Sequence, residues 1–189
     1  MVTHSLIMLS PGPHVGFDFG AYQRAAQTSS AEFMIFMNHH ARPLVNGWHE
    51  HLLAAAWQPS VGIAGCTGSH EGIEGSPFPN PHIRTNAFCM RRLLFLSLDM
   101  PEPQCKRDAS LLEAGPNSIT RQVLRRGLSA VVVDADGLVW DLDSARNART
   151  FRWGDQAKLL VMDNRTAHYS NGTREDREWL QRLAWGINE

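Results

Sequence analysis

The chain has 189 residues, 43% of them hydrophobic and 20% charged, with a formal net charge of −1. That length buries a sizeable core in one domain or little more, and the balanced charge gives no pointer to a nucleic-acid partner or an anionic membrane surface. No apolar run reaches transmembrane length, and residues 1–11 lack the basic start and apolar stretch of a signal peptide. The three cysteines, Cys66, Cys89 and Cys105, are odd in number and widely spaced, with no Cys-x-x-Cys pair. They argue for reduced thiols in a cytoplasmic setting.

In chain order, residues 20–30 read as a helix. Phe33-Met34-Ile35-Phe36-Met37 is a short continuous apolar run, suited to a strand buried on both faces. Residues 43–57 follow as a helix with Leu44, Trp48, Leu52, Leu53 and Ala56 on one stripe. Its His49-Glu50-His51 places two imidazoles at i, i+2, where side chains diverge, so these form a solvated face and not a zinc pair. A strand is expected at 61–65, a Gly-, Ser- and Pro-rich loop at 67–81, a strand at 86–90 and a short helix at 91–98. Pro116 and Gly127 are placed to start and stop a helix ahead of the β-branched strand 130–133. Asp134-Ala135-Asp136-Gly137 reads as a hairpin turn, and residues 139–150 as irregular. Asn171-Gly172-Thr173 leads through a turn to a helix N-cap, and 174–185 closes the chain as a charged amphipathic helix. The alternation is that of an α/β layer fold, with strands 33–37, 61–65 and 130–133 in one mostly parallel or mixed sheet, helices on both faces.

In such sheets chemistry gathers where strands end. The first such edge is Asn38-His39-His40-Ala41-Arg42. Two imidazoles and an amide there suit a divalent cation or a phosphate, or simply cap the turn. Adjacent histidines in a strand point to opposite sides, so at most one of them is expected to face a given site. The second edge is Asn80 to Phe88. If extended, it sets His82, Arg84 and Asn86 on one face. An imidazole, a guanidinium and an amide together suit a polyhydroxylated or phosphorylated ligand, or brace the Gly-rich loop as a polar network. The third candidate is Glu113, just ahead of a helix starting at Pro116, with Arg121 two turns in. The N-terminal dipole is expected to keep this carboxylate charged, ready to take a proton from a hydroxyl nucleophile. The same arrangement also occurs at surfaces for structural reasons. No serine elbow, phosphate-binding glycine loop or Cys/His nucleophile pair is present in the sequence.

The order of these segments resembles the C-terminal two-thirds of a bacterial family-2-like glycosyltransferase of GT-A fold, over residues 15 to about 186. Val15-Gly16-Phe17-Asp18-Phe19-Gly20-Ala21-Tyr22 is similar to the Gly-x-Asp-Phe-Gly-Ala-Tyr segment of polysaccharide-assembly transferases of the rhamnan-synthesis type. Residues 36–44, with Gly47-Trp48 after them, stand in the place of the strand-end Asp-x-Asp and its following helix. Gly65-Cys66-Thr67-Gly68-Ser69 and Pro81 to Phe88 match the acceptor-side segment. Glu113, Arg121 and Gly127 fall where the family carries its base-bearing acidic motif, helix arginine and glycine stop. Trp153-Gly154-Asp155-Gln156 and Asp163-Asn164 resemble its closing segment.

The resemblance implies one glycosyltransferase-like domain over residues 1–189, N-terminally truncated, with a GT-A-like (Rossmann-like) mixed sheet and helices on both faces. It implies an inverting transfer from a nucleotide-sugar donor to a saccharide acceptor in cell-surface polysaccharide synthesis, with Glu113 as base. Donor binding falls to Asp18, Asn38, His40 and Arg42, and acceptor binding to His82, Arg84, Asn86 and Asp155. Positive charge for the leaving diphosphate would come from Arg42, His40 or Arg84. With Asn38-His39-His40 in place of paired carboxylates, Mg²⁺ or Mn²⁺ finds few oxygen ligands, so no metal site and weak or absent metal dependence are expected. The missing first strand of a GT-A fold would bare strand flanks, implying a homodimer or a partner over that edge. Two other readings stand beside this one: a truncated, non-catalytic sugar or nucleotide-sugar binding module, and a hydrolase using Glu113 and Asp155. Glu113 is expected in one cleft with Asn38, His40 and Arg84.

Overall fold

The computed structural model describes residues 17–186. Val15 and Gly16 of the resembling segment, and residues 1–13, lie outside the described residues. In chain order the elements are α1 (Phe17–Thr28), β1 (Phe33–Met37), β2 (Arg42–Pro43), α2 (Trp48–Trp57), β3 (Val61–Gly65), β4 (Gly68–Ser69), β5 (His82–Ile83) and β6 (Ala87–Arg91). Then come α3 (Arg92–Leu96), α4 (Lys106–Ala114), α5 (Ile119–Arg125), β7 (Ser129–Val133), β8 (Val139–Asp141), a 3-10 turn (Ala145–Ala148), β9 (Val161–Met162), α6 (Asn164–Asn171) and α7 (Arg174–Trp185).

The main sheet has five strands in the order β1-β6-β3-β7-β8. β3 and β7 are parallel, while β6 runs antiparallel to β1 and β3, and β8 antiparallel to β7. β1, β3 and β7 therefore share one direction and end at one edge of the sheet. The three strands expected together do lie in one mixed sheet.

Period-2 alternation divides the core into two layers. Phe36, Phe88, Met90, Ala130 and Val132 face one layer, where α1, α3, α4, α5 and α7 contribute Tyr22, Phe95, Leu112, Ile119 and Trp185. Phe36 stacks on Phe88 and Phe95 with ring centroids 5.0 and 4.4 Å apart. Ala87, Cys89, Val131 and Val133 face the other layer, which α2 closes with Leu52, Ala55 and Ala56, together with Leu160 and Val161. Helices thus cover both faces of the sheet.

Several boundaries differ from the sequence expectation. β1 is an edge strand, paired only with β6 among the described residues, so four of its five positions are half-buried where burial on both faces is expected. α2 starts at Trp48 and not at residue 43, because Arg42–Pro43 instead pairs with Val161–Met162 and Gly47 turns the chain at φ 74°. Leu44 consequently leaves the apolar stripe and is exposed. The helix assigned from Pro116 begins at Ile119, capped by the Ser118 hydroxyl, which places Arg121 in its first turn. Ahead of it lies the unforeseen α4, started by a capping box between Cys105 and Asp108, so Glu113 sits in the last turn of a helix. α6, capped by Asp163, is also unforeseen. The 134–137 hairpin turn and α7 form where expected, with Gly137 at φ 78° and Thr173 as N-cap. Among the described residues no helix is long and apolar enough to cross a membrane.

Candidate functional site

Pairing of Met37 with Ala87 and of Gly65 with Phe88 brings Asn38, Thr67 and Asn86 to the same sheet edge, where β1 and β3 end and β6 begins. Crevices outside the carboxyl ends of strands are where open α/β sheets bind ligands. The Asn38 backbone N–H donates to the Asn86 carbonyl at 3.0 Å. The Thr67 hydroxyl donates to Asn86 Oδ1 at 2.7 Å, and the Arg84 N–H to the Thr67 carbonyl at 3.0 Å.

Glu113 reaches this edge from α4. Its Oε2 accepts two hydrogen bonds from Thr85, from the backbone N–H at 2.9 Å and the hydroxyl at 2.5 Å. Oε1 takes no hydrogen bond among the described residues and is not sealed from solvent. Burial alone pushes the carboxyl up. The Arg84 guanidinium, His82 and the Thr85 donors outweigh that and hold it below the ordinary glutamate range. Its charge therefore does not come from a helix N-terminus, as the sequence suggests, because α4 presents its C-terminal end.

Arg84 is buried and donates from Nη2 to Asp163 Oδ2 at 2.8 Å. Asp163 also caps α6, its Oδ1 accepting from the N–H groups of Arg165 and Thr166 at 3.0 and 2.8 Å. Burial raises the Asp163 carboxyl, but Arg84 and Thr166 more than offset it and leave it below its ordinary range. His82 is buried as well, with Nδ1 2.7 Å from the Asn80 carbonyl; burial lowers its pKa and favours the neutral ring.

On the other side, Asp18 in the first turn of α1 lies 3.9 Å from His39 Nδ1. Burial raises the Asp18 carboxyl, His39 and His40 draw it down, and the Glu113 charge pushes it up again. The two histidine rings stand 3.8 Å apart. They share a side because β1 stops at Met37 and both lie in a turn, so the strand rule that separates them does not apply. Tyr22 connects the halves: its hydroxyl donates to the Thr85 carbonyl at 3.4 Å. Burial, then Asp18 and Glu113, push that hydroxyl well above its ordinary range.

Glu113, Arg84, His82, Asn86, Asn38, Asp18 and His40 are thus brought together. Two residues are not. Arg42 is exposed and donates to the carbonyls of His39 and Ala41, both at 2.9 Å, bracing its own turn. Asp155 is an exposed carboxylate held by Arg149 and the Ala157 N–H, with no contact to Glu113 or Arg84. The period-2 expectation for 82–86 also fails, because the chain turns after Ile83. Thr85, assigned to the opposite face by that rule, is the residue that grips Glu113. The sequence carries one signal for a missed partner, the spacing of Asp163 and Thr166 at an N-cap. For Tyr22 and Thr67 it carries none.

Where the resembling family places paired carboxylates stand Asn38, His39 and His40, and no group of three or more His, Cys, Asp or Glu among the described residues is arranged to hold a metal. These residues do not fit that family's divalent cation. No family model, curated protein or solved structure matches the chain.

Proposed function

We propose that this chain is a GT-A-like glycosyltransferase that moves a sugar from a nucleotide-sugar donor to a saccharide hydroxyl with inversion, in the cytoplasmic synthesis of a cell-surface polysaccharide. The reading rests on the segment order of the sequence and on one observation, the state of Glu113. Its carboxylate is held ionised, with Oε2 anchored by Thr85 and Oε1 without a hydrogen bond among the described residues. A general base must be ionised and keep one oxygen free for the incoming hydroxyl; the lowered pKa meets the first need at neutral pH at the expense of base strength. An acceptor hydroxyl donates to Oε1 and loses its proton there as its oxygen bonds to the anomeric carbon. On the opposite face the bond from that carbon to the diphosphate oxygen breaks, and the diphosphate leaves with the electron pair. Asn38, His40 and Asp18 flank the donor side, and His82, Arg84 and Asn86 the acceptor side. The free thiols Cys66, Cys89 and Cys105 suit a reducing compartment.

A non-catalytic binding module is the second reading, favoured by the Arg84–Asp163 pair, which neutralises the cation inside the fold. Release of nucleoside diphosphate from a panel of nucleotide sugars, with and without saccharide acceptors, separates the two. Acceptor-dependent release by the wild type, reduced about a hundredfold or more in Glu113→Gln, is the expected result for loss of a general base. Tight nucleotide-sugar binding with no turnover would assign the module instead. Equal turnover in both forms would remove Glu113 from the chemistry.

A further inference from the structure

Behind Arg84 lies a second cationic cluster that the transfer chemistry above does not use. Arg84 and Arg152 both stand over the Phe151 ring, with Cζ 4.2 and 4.8 Å from its centroid. Arg152 is 5% exposed, and its backbone sits at φ 43°, in the left-handed region that a non-glycine residue rarely adopts. Gln156 fixes it there: Oε1 accepts from the Arg152 N–H at 2.9 Å, while Nε2 donates to the Thr166 carbonyl at 3.0 Å and to the Ser170 hydroxyl at 2.9 Å. The loop is thereby tied to α6, whose first turn carries the third cation, Arg165.

Two carboxylates make ion pairs with these three guanidinium groups, while Glu113 acts on Arg84 without an ion-pair contact. Asp163 is engaged by Arg84 and by the α6 N-cap. Glu71 offers a single oxygen to both remaining cations, 3.3 Å from Arg152 Nη1 and 3.9 Å from Arg165 Nη1. An arginine fork well paired with an oxyanion makes two short parallel bonds, and neither contact here approaches that. Nε of Arg84 and Nε of Arg152 are buried without a partner, and Arg152 Nη2 makes no hydrogen bond among the described residues. Buried donors in folded proteins are nearly always satisfied, by an ion or water where the protein offers nothing. Burial, and then the neighbouring Arg84 and Arg165, lower Arg152 to about 10 against the pull of Glu71. The cluster opens to solvent at Glu71 and Arg165, whose side chains are 29% and 44% exposed.

We infer that Arg152 and Arg165, with Arg84 beneath them, form a binding site for a phosphate-bearing anion, and that Glu71 is the internal counter-ion this anion displaces. Its identity as the donor diphosphate rests on the glycosyltransferase reading; the site itself does not. It replaces Arg42, which is committed to backbone carbonyls.

The test is calorimetric titration of the full chain with inorganic diphosphate at low ionic strength, with sulfate as the control anion. Saturable binding is expected in the wild type, at least tenfold weaker in Arg165→Gln and tighter in Glu71→Gln. The half-exposed Arg165 makes no side-chain hydrogen bond among the described residues, so that variant is expected to melt like the wild type, and Glu71→Gln gives an independent reading of opposite sign. Absence of saturable binding, or equal affinity in wild type and Arg165→Gln, overturns the site. So does weaker binding in Glu71→Gln. Acceptor-dependent sugar transfer that Arg165→Gln leaves unchanged overturns the assignment of the site to the donor diphosphate while sparing the proposed function. Diphosphate binding that depends on Arg165, in a chain that transfers no sugar, sustains the site and counts against that function.

Discussion

Glu113 keeps a negative charge at a half-buried position in the last turn of α4, where the helix dipole opposes a carboxylate. Against burial, the largest influence on it, stand the Arg84 guanidinium, His82 and two hydrogen bonds from Thr85. The Thr85 hydroxyl, at 2.5 Å from Oε2, can be removed with little change of shape by Thr85→Val. The backbone N–H remains, so the carboxylate loses one of two anchors. A hydrogen bond to a charged group contributes roughly 1.5–3 kcal/mol, and that is the expected loss of folding stability by denaturant titration. The same change raises the Glu113 pKa, because a donor favouring the ionised form is gone. A base must be ionised to act, so the acid limb of the pH–rate profile moves to higher pH in Thr85→Val. A limb that stays in place would mean that another group controls it.

At the scale of elements, the site depends on how closely β5 approaches the end of β3. A Cβ added at Gly65 would fall 2.3 Å from Ile83 Cγ2, and Ile83 is fully buried beside His82 and Arg84. Gly65→Ala is therefore expected to cost about 1–3 kcal/mol through overpacking. It also moves the 82–86 turn, so on the proposed transfer function affinity for the saccharide acceptor is expected to fall together with the melting temperature. A stable Gly65→Ala protein with unchanged affinity would show that β5 does not position the site. The sequence makes strands 61–65 and 130–133 legible because apolar, β-branched runs suit a sheet covered on both faces. It hides α4 because Cys105 is not a usual N-cap and Pro116 draws the helix start downstream. His39, His40 and the 84–86 turn are misread for a related reason. Their side-chain directions depend on where a strand stops, and boundaries are set by tertiary pairing such as β1 with β6. The gathering of Asn38, Arg84, Asn86 and Glu113 at one edge follows from the strand-end rule. The Arg152–Glu71 pair, 81 residues apart, leaves no local trace in the sequence.

At the scale of the whole molecule, acid should unfold this protein through the buried charges of the Arg84 network. Arg84 and Asp163 are paired at 2.8 Å with side chains only 5% and 1% exposed, and Glu113 draws on the same guanidinium. The folded pKa values of Asp163 and Glu113 lie below their ordinary values of 3.8 and 4.5. Groups depressed in this way contribute stability that is fully present above those ordinary values. It is lost as pH falls through the lower folded ones. The wild type should therefore lose its urea midpoint gradually below the ordinary histidine value of 6.5, as acid must charge the buried neutral His82, and steeply below about pH 5 as the two carboxylates protonate. Arg84→Met removes the cation and leaves Asp163 buried without its counter-ion, at an expected cost of about 3–5 kcal/mol near neutral pH. In that variant the cation that lowers both carboxyls is gone, so their folded pKa values rise and acid removes less stabilising charge. The gap between the two urea midpoints should then be widest near neutral pH and close as pH approaches about 3. A gap that stays constant over this range would place the acid sensitivity of the fold outside the Arg84 network.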